Sequence, residues 1–305
     1  DVSYLLSAKS GGNPDSPADV ALGDLDNDGD LDIAVSSFGS GIIRWLENDG
    51  QADPSFGETI LSTEEITANT VHIADFNGDG KLDILSEAMG TSLYNNDGTY
   101  NRTNVPGHLT LFTNDGYDNP SFDISEVEFT SDLDSSDPYE DYLSDFDFAD
   151  FDNDGDLDII SISTDIRWVE EGELAERINW HENNNGSWTT HQITAREYDG
   201  ARSIDTNDLD GDGDIDILLS NNYDPNLISS QEAKNENAIV WYENDGLPNP
   251  SFTPFTIEAL VPDINALDSA DFDGDGDLDF VGATAGYGND VYYTAETYWW
   301  QNNGE

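Results

Sequence analysis

Five segments set aspartates at the alternate spacing that suits a hard cation: DLDNDGDLD (24–32), DFNGDGKLD (75–83), DFDNDGDLD (150–158), DLDGDGDID (208–216) and DFDGDGDLD (271–279). Each places oxygen side chains at loop positions 1, 3, 5 and 9 and glycine at position 6. Calcium takes about six to eight oxygen ligands in flexible geometry; alternate residues of a tight loop turn their carboxylates inward, and glycine permits the sharp bend. The expected side-chain ligands are Asp24, Asp26, Asp28 and Asp32; Asp75, Asn77, Asp79 and Asp83; Asp150, Asp152, Asp154 and Asp158; Asp208, Asp210, Asp212 and Asp216; and Asp271, Asp273, Asp275 and Asp279. The backbone carbonyls of Asp30, Lys81, Asp156, Asp214 and Asp277 extend these sets, so about five calcium ions are expected, one per loop. A single loop of this kind reads equally well as a polar turn, since Asp and Gly favour turns anyway; five in register do not. An EF-hand opens similarly but needs glutamate at position 12 and flanking helices. Here position 12 holds Val35, Ser86, Ser161, Leu219 and Gly282, and the residues after each loop read as strands: IAVSS, ILSEA, IISIS, ILLSN and FVGAT.

The elements that position these loops follow from the repeat. The loops recur about every 60 residues, and each unit reads as four strands. Strand A enters the acidic loop and strand B leaves it. Strand C carries an aromatic and ends in an Asn/Asp-Gly turn: IIRWLENDG (42–50), LTLFTNDG (109–116), INWHENNNG (178–186), IVWYENDG (239–246) and TYWWQNNG (297–304). Strand D follows as SFGETIL, SFDISEV, SWTTHQI and SFTPFTI. Four strands per unit, repeated radially, make a β-propeller. The fifth unit has no D strand, whereas the chain opens with SYLLSAKS (3–10). Pairing that strand into the last blade closes five blades and predicts one propeller domain over 1–305. Trp45, Phe112, Trp180, Trp241 and Trp299 or Trp300 recur once per unit, which fits packing between blades, with a ring of sugar sites as the alternative.

Length variation concentrates on the face opposite the acidic loops: about 89–108, 165–177, 221–237 and 284–297, with a further D–A insertion near 130–144. Binding residues are usually placed on such loops. The candidates are Tyr94, Tyr100, Tyr139, Tyr142, Arg167, Trp168, Tyr223, Tyr287, Tyr292 and Tyr293, which suit sugar rings or a protein surface if they do not simply pack the loops onto the ring. A second set lies three residues before each acidic loop on strand A: Ala21, His72, Asp147, Asp205 and Asp268. His72, Asp147, Asp205 and Asp268 either line a central channel and hold a cation or water, or cap neighbouring blades by hydrogen bonds.

The acidic loops together with the W-x-E-N-D-G strands resemble the FG-GAP/VCBS-type calcium-binding propeller repeats of secreted bacterial proteins, and more distantly the integrin α-subunit propeller. The resemblance covers essentially the whole chain. It implies a β-propeller with calcium in the A–B loops and no single activity, because such repeats accompany adhesins, lectins and polysaccharide-degrading enzymes. Two departures stand out. The integrin type has seven blades where five units are counted here, and Asn77 and Lys81 weaken the charge of the second loop.

Composition narrows the function further. The chain has 66 acidic and 9 basic residues, a net charge of −57 and no cysteine. A field this negative repels phosphate backbones and anionic headgroups, so neither nucleic acid nor a membrane surface is an expected partner. Cysteine chemistry and disulfides are excluded. Aromatic residues make up 11%, which favours packed β structure over disorder. No apolar run is long enough to span a bilayer, and Asp1 opens into mature-looking sequence. With 66 carboxylates any acidic pair can be found, so glycosidase logic discriminates nothing, and His108, His181 and His191 lack a nucleophile or zinc-peptidase context. The expected function is a secreted, non-enzymatic, calcium-stabilised recognition module for carbohydrate or a surface protein, in an extracellular or cell-surface setting, with the acidic charge pointing to a marine or saline one. A polysaccharide-active enzyme or a rigid unit of a surface assembly are the alternatives.

Overall fold

The computed structural model describes residues 16–37, 40–62, 68–88, 108–117, 120–127, 142–165, 175–195, 201–221, 238–259, 264–284 and 296–302. Among them every regular element is a strand, and the 19 strands form five antiparallel sheets, consistent with a β-propeller-like arrangement. The first sheet is β1 (Pro17–Gly23), β2 (Asp32–Ser37), β3 (Ile42–Asn48) and β4 (Phe56–Ser62); the second is β5 (Ala68–Ala74), β6 (Asp83–Ala88), β7 (His108–Asn114) and β8 (Phe122–Val127). The third is β9 (Tyr142–Ala149), β10 (Asp158–Asp165), β11 (Ala175–Asn184) and β12 (Ser187–Ala195). The fourth is β13 (Ala201–Asn207), β14 (Asp216–Asn221), β15 (Ala238–Asn244) and β16 (Phe252–Ala259), and the fifth is β17 (Ile264–Ala270), β18 (Asp279–Thr284) and β19 (Thr297–Trp300). The chain divides into two compact units, Asp1–Pro138 with Asn184–Trp188, and Tyr139–Asn183 with Thr189–Glu305. Residues 3–10, expected as the missing strand of the last sheet, lie outside the described residues.

Register is repeated as closely as sequence. The residue before each acidic loop pairs with the last aspartate of that loop: Gly23 with Asp32, Ala74 with Asp83, Ala149 with Asp158, Asn207 with Asp216 and Ala270 with Asp279. Each loop is therefore the same closed hairpin end. The turns between third and fourth strands differ. In the third sheet Asn185 (φ 52) and Gly186 (φ 84) make a two-residue turn with both residues left-handed, the geometry that matches the twist of a hairpin. In the first, second and fourth sheets Asn48, Asn114 and Asn244 pair with Phe56, Phe122 and Phe252 across a longer N-D-G-x-x-x-P-S-F connection.

Within each unit the sheets pack face to face. Leu25, Ala34, Ile43 and Trp45 of the first sheet meet Ala68, Val71, Ile84 and Phe112 of the second. Ile160, Ile162, Ile178 and Trp180 of the third meet Ile204, Ile217, Leu219, Val240 and Tyr242 of the fourth, whose other face puts Leu218 and Ile239 against Ile264, Leu267 and Phe280 of the fifth. This corrects the grouping of the recurring aromatics. Trp45, Trp180, Trp241 and Trp299 lie opposite the second residue after the loop (Ala34, Ile160, Leu218, Val281), where the second sheet has Leu111 opposite Leu85. Phe112 instead lies opposite the first, Ile84, in the column of Leu46, His181, Tyr242 and Trp300. Consecutive strand residues point to opposite faces, so within each unit Trp45, Trp180 and Trp241 face the following sheet and Phe112, Tyr242 and Trp300 the preceding one. Trp45 meets Phe122 of the second sheet edge to face at 6.1 Å, as expected for aromatics that pack sheets together.

Candidate metal centre

Each acidic loop is built by its own backbone. In the first, Asp24 accepts the amide of Asp28 on Oδ1 at 3.1 Å and that of Gly29 on Oδ2 at 3.0 Å, and Asp28 Oδ1 accepts the amide of Asp30 at 2.9 Å. The second loop repeats the pattern around Asp75 and Asp79, and the third around Asp150 and Asp154. Gly29, Gly80, Gly155, Gly213 and Gly276 at position 6 have φ of 97, 85, 100, 101 and 101°, left-handed backbone that β-carbons disfavour. Position 4 is left-handed too: Asn27, Gly78, Asn153, Gly211 and Gly274 have φ of 59, 64, 61, 76 and 80°. The alternation of Asn and Gly there was a readable signal that the position-6 glycine overshadowed, since Asn is the side chain best tolerated at positive φ.

The turns bring the first three odd positions together. Asp24, Asp26 and Asp28; Asp150, Asp152 and Asp154; Asp208, Asp210 and Asp212; and Asp271, Asp273 and Asp275 each offer one carboxylate oxygen, all within 4.8 Å of one another. Asn77 replaces the middle carboxylate in the second loop. The donor set is oxygen alone, which suits a hard cation. Crowding is visible in the position-3 carboxyls. Asp26 is pushed up to about 6 by burial and then by the negative charges of Asp32 and Asp28. Asp152, Asp210 and Asp273 are raised by burial and by their neighbours in the loop. In the fourth loop Asp208 Oδ1 is buried without a hydrogen-bond partner. An oxygen of this kind at position 1 is what a cation would engage, so the residues fit a bound metal ion.

Position 9 has a different setting. Asp32, Asp83, Asp158 and Asp279 are fully buried and Asp216 is 1% exposed. One oxygen of each accepts the position-2 amide (Leu25, Phe76, Phe151, Leu209 or Phe272) at 3.1 to 3.3 Å. The other accepts the amide of an asparagine within two residues of the third strand's end (Asn48, Asn114, Asn183, Asn244 or Asn302) at 2.7 to 2.9 Å. Burial pushes Asp158 up to about 7 and Asp83 and Asp216 to about 6. These five carboxylates brace the loop against the third-strand segment and stay close to the other ligand positions: Asp32 adds negative charge at Asp26, and Asp75 and Asp79 add it at Asp83.

Three sets of residues around the loops were missed by sequence reasoning. The asparagines just named also donate their side-chain amides to the loop's position-8 carbonyl: Asn48 to Leu31, Asn114 to Leu82, Asn183 to Leu157 and Asn244 to Ile215. Asn114, Asn244 and Asn302 reach further, to the position-2 carbonyl of the preceding sheet's loop: Leu25 at 2.6 Å, Phe151 at 2.9 Å and Leu209 at 3.4 Å. The residue before each asparagine is the second set. Glu47 and Glu182 add negative charge at Asp26 and Asp152, and Gln301 Nε2 donates to Asp273 Oδ2 at 2.5 Å. Third, Asp49, Asp115 and Asp245 staple the long turns by accepting the hydroxyls of Ser55, Ser121 and Ser251, bonds that hold these carboxyls below the usual range. The repeats show in the sequence around the N-D-G and P-S-F segments; the Asp–Ser staples close over six residues, whereas the asparagines reach partners up to 93 residues away.

Of the other candidates, Asp147 Oδ2 accepts the amide and hydroxyl of Thr206 at 2.9 and 2.8 Å, and Asp205 accepts the hydroxyl of Ser269. Both bonds join a first strand to the first strand of the next sheet, the capping arrangement. Asp205 is raised to about 6 by burial, with Asp147 and Asp268 adding negative charge. His72 lies half-buried on β5 and Asp268 exposed on β17. Buried His181 is engaged by Ser161 on Nε2 at 2.8 Å and by Thr190 on Nδ1 at 2.9 Å, and burial drives it down to about 3, so it stays neutral. Tyr94, Tyr100, Tyr139, Arg167, Trp168, Tyr223, Tyr287, Tyr292 and Tyr293 lie outside the described residues; Tyr142 opens β9.

Residues 24–86 match the FG-GAP-like repeat family, from the first ligand position of loop one to the strand after loop two. The chain carries an FG-GAP-like repeat. The remaining three loops repeat its turn geometry and hairpin register, and five similar sheets fit an FG-GAP repeat protein. No curated protein matches the chain. Among the described residues no helix is long and apolar enough to cross a membrane.

Proposed function

We propose that this chain is a calcium-stabilised β-propeller of five blades that works outside the cell as a non-enzymatic recognition module, with carbohydrate as its ligand. The observation that carries the metal part is the convergence of three aspartates within 4.8 Å in four separate loops. Calcium is the ion of choice because the donors are carboxylate oxygens in a loop that also offers a position-7 carbonyl. Asp24, Asp26 and Asp28 and their counterparts would hold it, supported by Asp30 and its counterparts through the backbone. The ion would neutralise carboxylates that otherwise repel one another, so binding adds to folding stability. Closure by residues 3–10 as the last blade's fourth strand belongs to the same reading.

Recognition is supported by where the chain varies. The acidic loops have constant length, whereas second and third strands are joined by segments as short as 38–41 and as long as 89–107. A rigid repeated scaffold with variable connections at one end is a common arrangement for binding. The negative net charge favours neutral glycans over anionic ones. Glycan-array binding of the calcium-loaded protein, with an EDTA-treated control and parallel thermal melts, tests this. Calcium-dependent binding to one neutral glycan class is expected. No binding by a protein whose melt shows full calcium stabilisation would overturn the carbohydrate assignment and point to a protein partner.

A further inference from the structure

The second loop is less negative than the other four at two places, and at a third it is less negative than three of them. Position 3 is neutral Asn77 where the others have Asp26, Asp152, Asp210 and Asp273, and position 7 is Lys81 where the others have Asp30, Asp156, Asp214 and Asp277. The third strand contributes Thr113 where the other sheets have Glu47, Glu182, Glu243 and Gln301. The loop thus holds three carboxylates and one ammonium, against five carboxylates in each of the others. That ammonium is fixed in place. Lys81 Nζ lies 3.4 Å from Asp79 Oδ2 and donates to the carbonyl oxygen of Asp115 at 3.0 Å. Its alkyl chain crosses Gly116 so closely that a β-carbon there would collide with it. The loop backbone nevertheless keeps the turns of its counterparts, with the amides of Asp79 and Gly80 on Asp75 at 3.0 and 2.8 Å.

We propose that Lys81 is a resident cation of the second loop: it ties the loop to the turn after β7, makes this the weakest divalent site of the five, and lets the loop keep its shape when the ion leaves. The proposal rests on the calcium reading above. Affinity of an oxygen-lined loop rises with the number of ligand charges and falls when a competing positive charge sits beside them. Both act here, because Asn77 replaces a ligand carboxylate and Lys81 pairs with the position-5 ligand. The other loops have a carboxylate at that place, so chelation leaves their negative charges facing one another.

The test is calcium release from the full chain in EGTA-buffered series, read by native mass spectrometry and isothermal titration, for the natural sequence beside Lys81→Asp and Thr113→Glu. Two classes of ion are expected in the natural sequence, one ion leaving first with affinity lower by about 10-fold or more. Lys81→Asp should move that ion into the tight class. Release of all ions as one class, or a weak class unchanged by Lys81→Asp, overturns the proposal. Should near-ultraviolet circular dichroism show Lys81→Asp unfolded, Thr113→Glu decides: it adds a carboxylate without touching the lysine contacts, and must tighten the weak ion for the proposal to stand. A natural sequence that binds no calcium removes the calcium reading and this proposal together.

Discussion

At the scale of the residue, the aspartates of one motif sit in two settings. Positions 1, 3 and 5 converge and expose oxygens that a cation can take, whereas position 9 is buried with its oxygens on backbone amides. Asp158 accepts the amides of Phe151 and Asn183 and the indole of Trp180. Asp158→Ala would leave those buried donors unpaired, and an unsatisfied buried donor costs about 1–3 kcal/mol. Urea unfolding with saturating calcium should therefore show a loss of about 3 kcal/mol or more, and Asp158→Asn a smaller one. The pH dependence follows from the same groups. Asp26, Asp83 and Asp216 lie near 6 and Asp158 near 7, all above the ordinary 3.8. Between these values the folded state binds more protons than the unfolded, so their contribution is full below pH 3.8 and is lost as pH rises through about 6 to 7. In EDTA the melting temperature should rise when pH is lowered from about 8 to about 5.5. Excess calcium, which needs the ionised carboxylates, should flatten or reverse that trend; a calcium-free protein that melts lower at the acid end would contradict the assignment. The convergence of positions 1, 3 and 5 was legible in the sequence because their spacing is local. The bracing was not, since Asp83 and Asp158 look identical to their loop neighbours until Asn114 and Asn183 arrive from another strand.

Among elements, the hairpin that holds each acidic loop is the repeated part, and the asparagine ending the third strand links one hairpin to another. Asn114 donates to Leu82 in its own sheet and to Leu25 in the preceding one, and Asn244 does the same with Ile215 and Phe151. Replacing Asn114 by Ala orphans two carbonyls at a packed sheet boundary. A loss of about 2 kcal/mol in denaturant unfolding is expected, together with faster hydrogen exchange at the amides of Leu25 and Phe76. Asn48, whose described side-chain bonds stay within its own sheet, should tolerate the same change better. Strand order and the four-strand repeat could be read from alternation and turn residues. The aromatic column was misread at Phe112, because one residue of register moves a side chain to the opposite face, and only the pairing with Ile84 shows which face that is.

For the whole molecule, net charge and metal dependence are one question. A chain at −57 repels itself, and five acidic loops concentrate that repulsion. Calorimetry in EDTA should show a marked drop in melting temperature that calcium restores. In the calcium-free state, raising salt toward about 0.15 M shortens the screening length to about 8 Å and should recover part of the loss. An EDTA melt insensitive to salt would mean that repulsion among carboxylates is not what the ion relieves. What the sequence determined by itself is what acts over short spans: the spacing of the acidic positions, the left-handed glycines, strand order, and a strongly negative charge. What only the tertiary structure decided is that the position-9 carboxylates are buried against the third strand, how asparagines join successive sheets, and that Lys81 reaches the turn at Asp115. Those facts depend on groups that lie tens of residues apart in the chain and meet only when the sheets pack, so no local pattern could encode them.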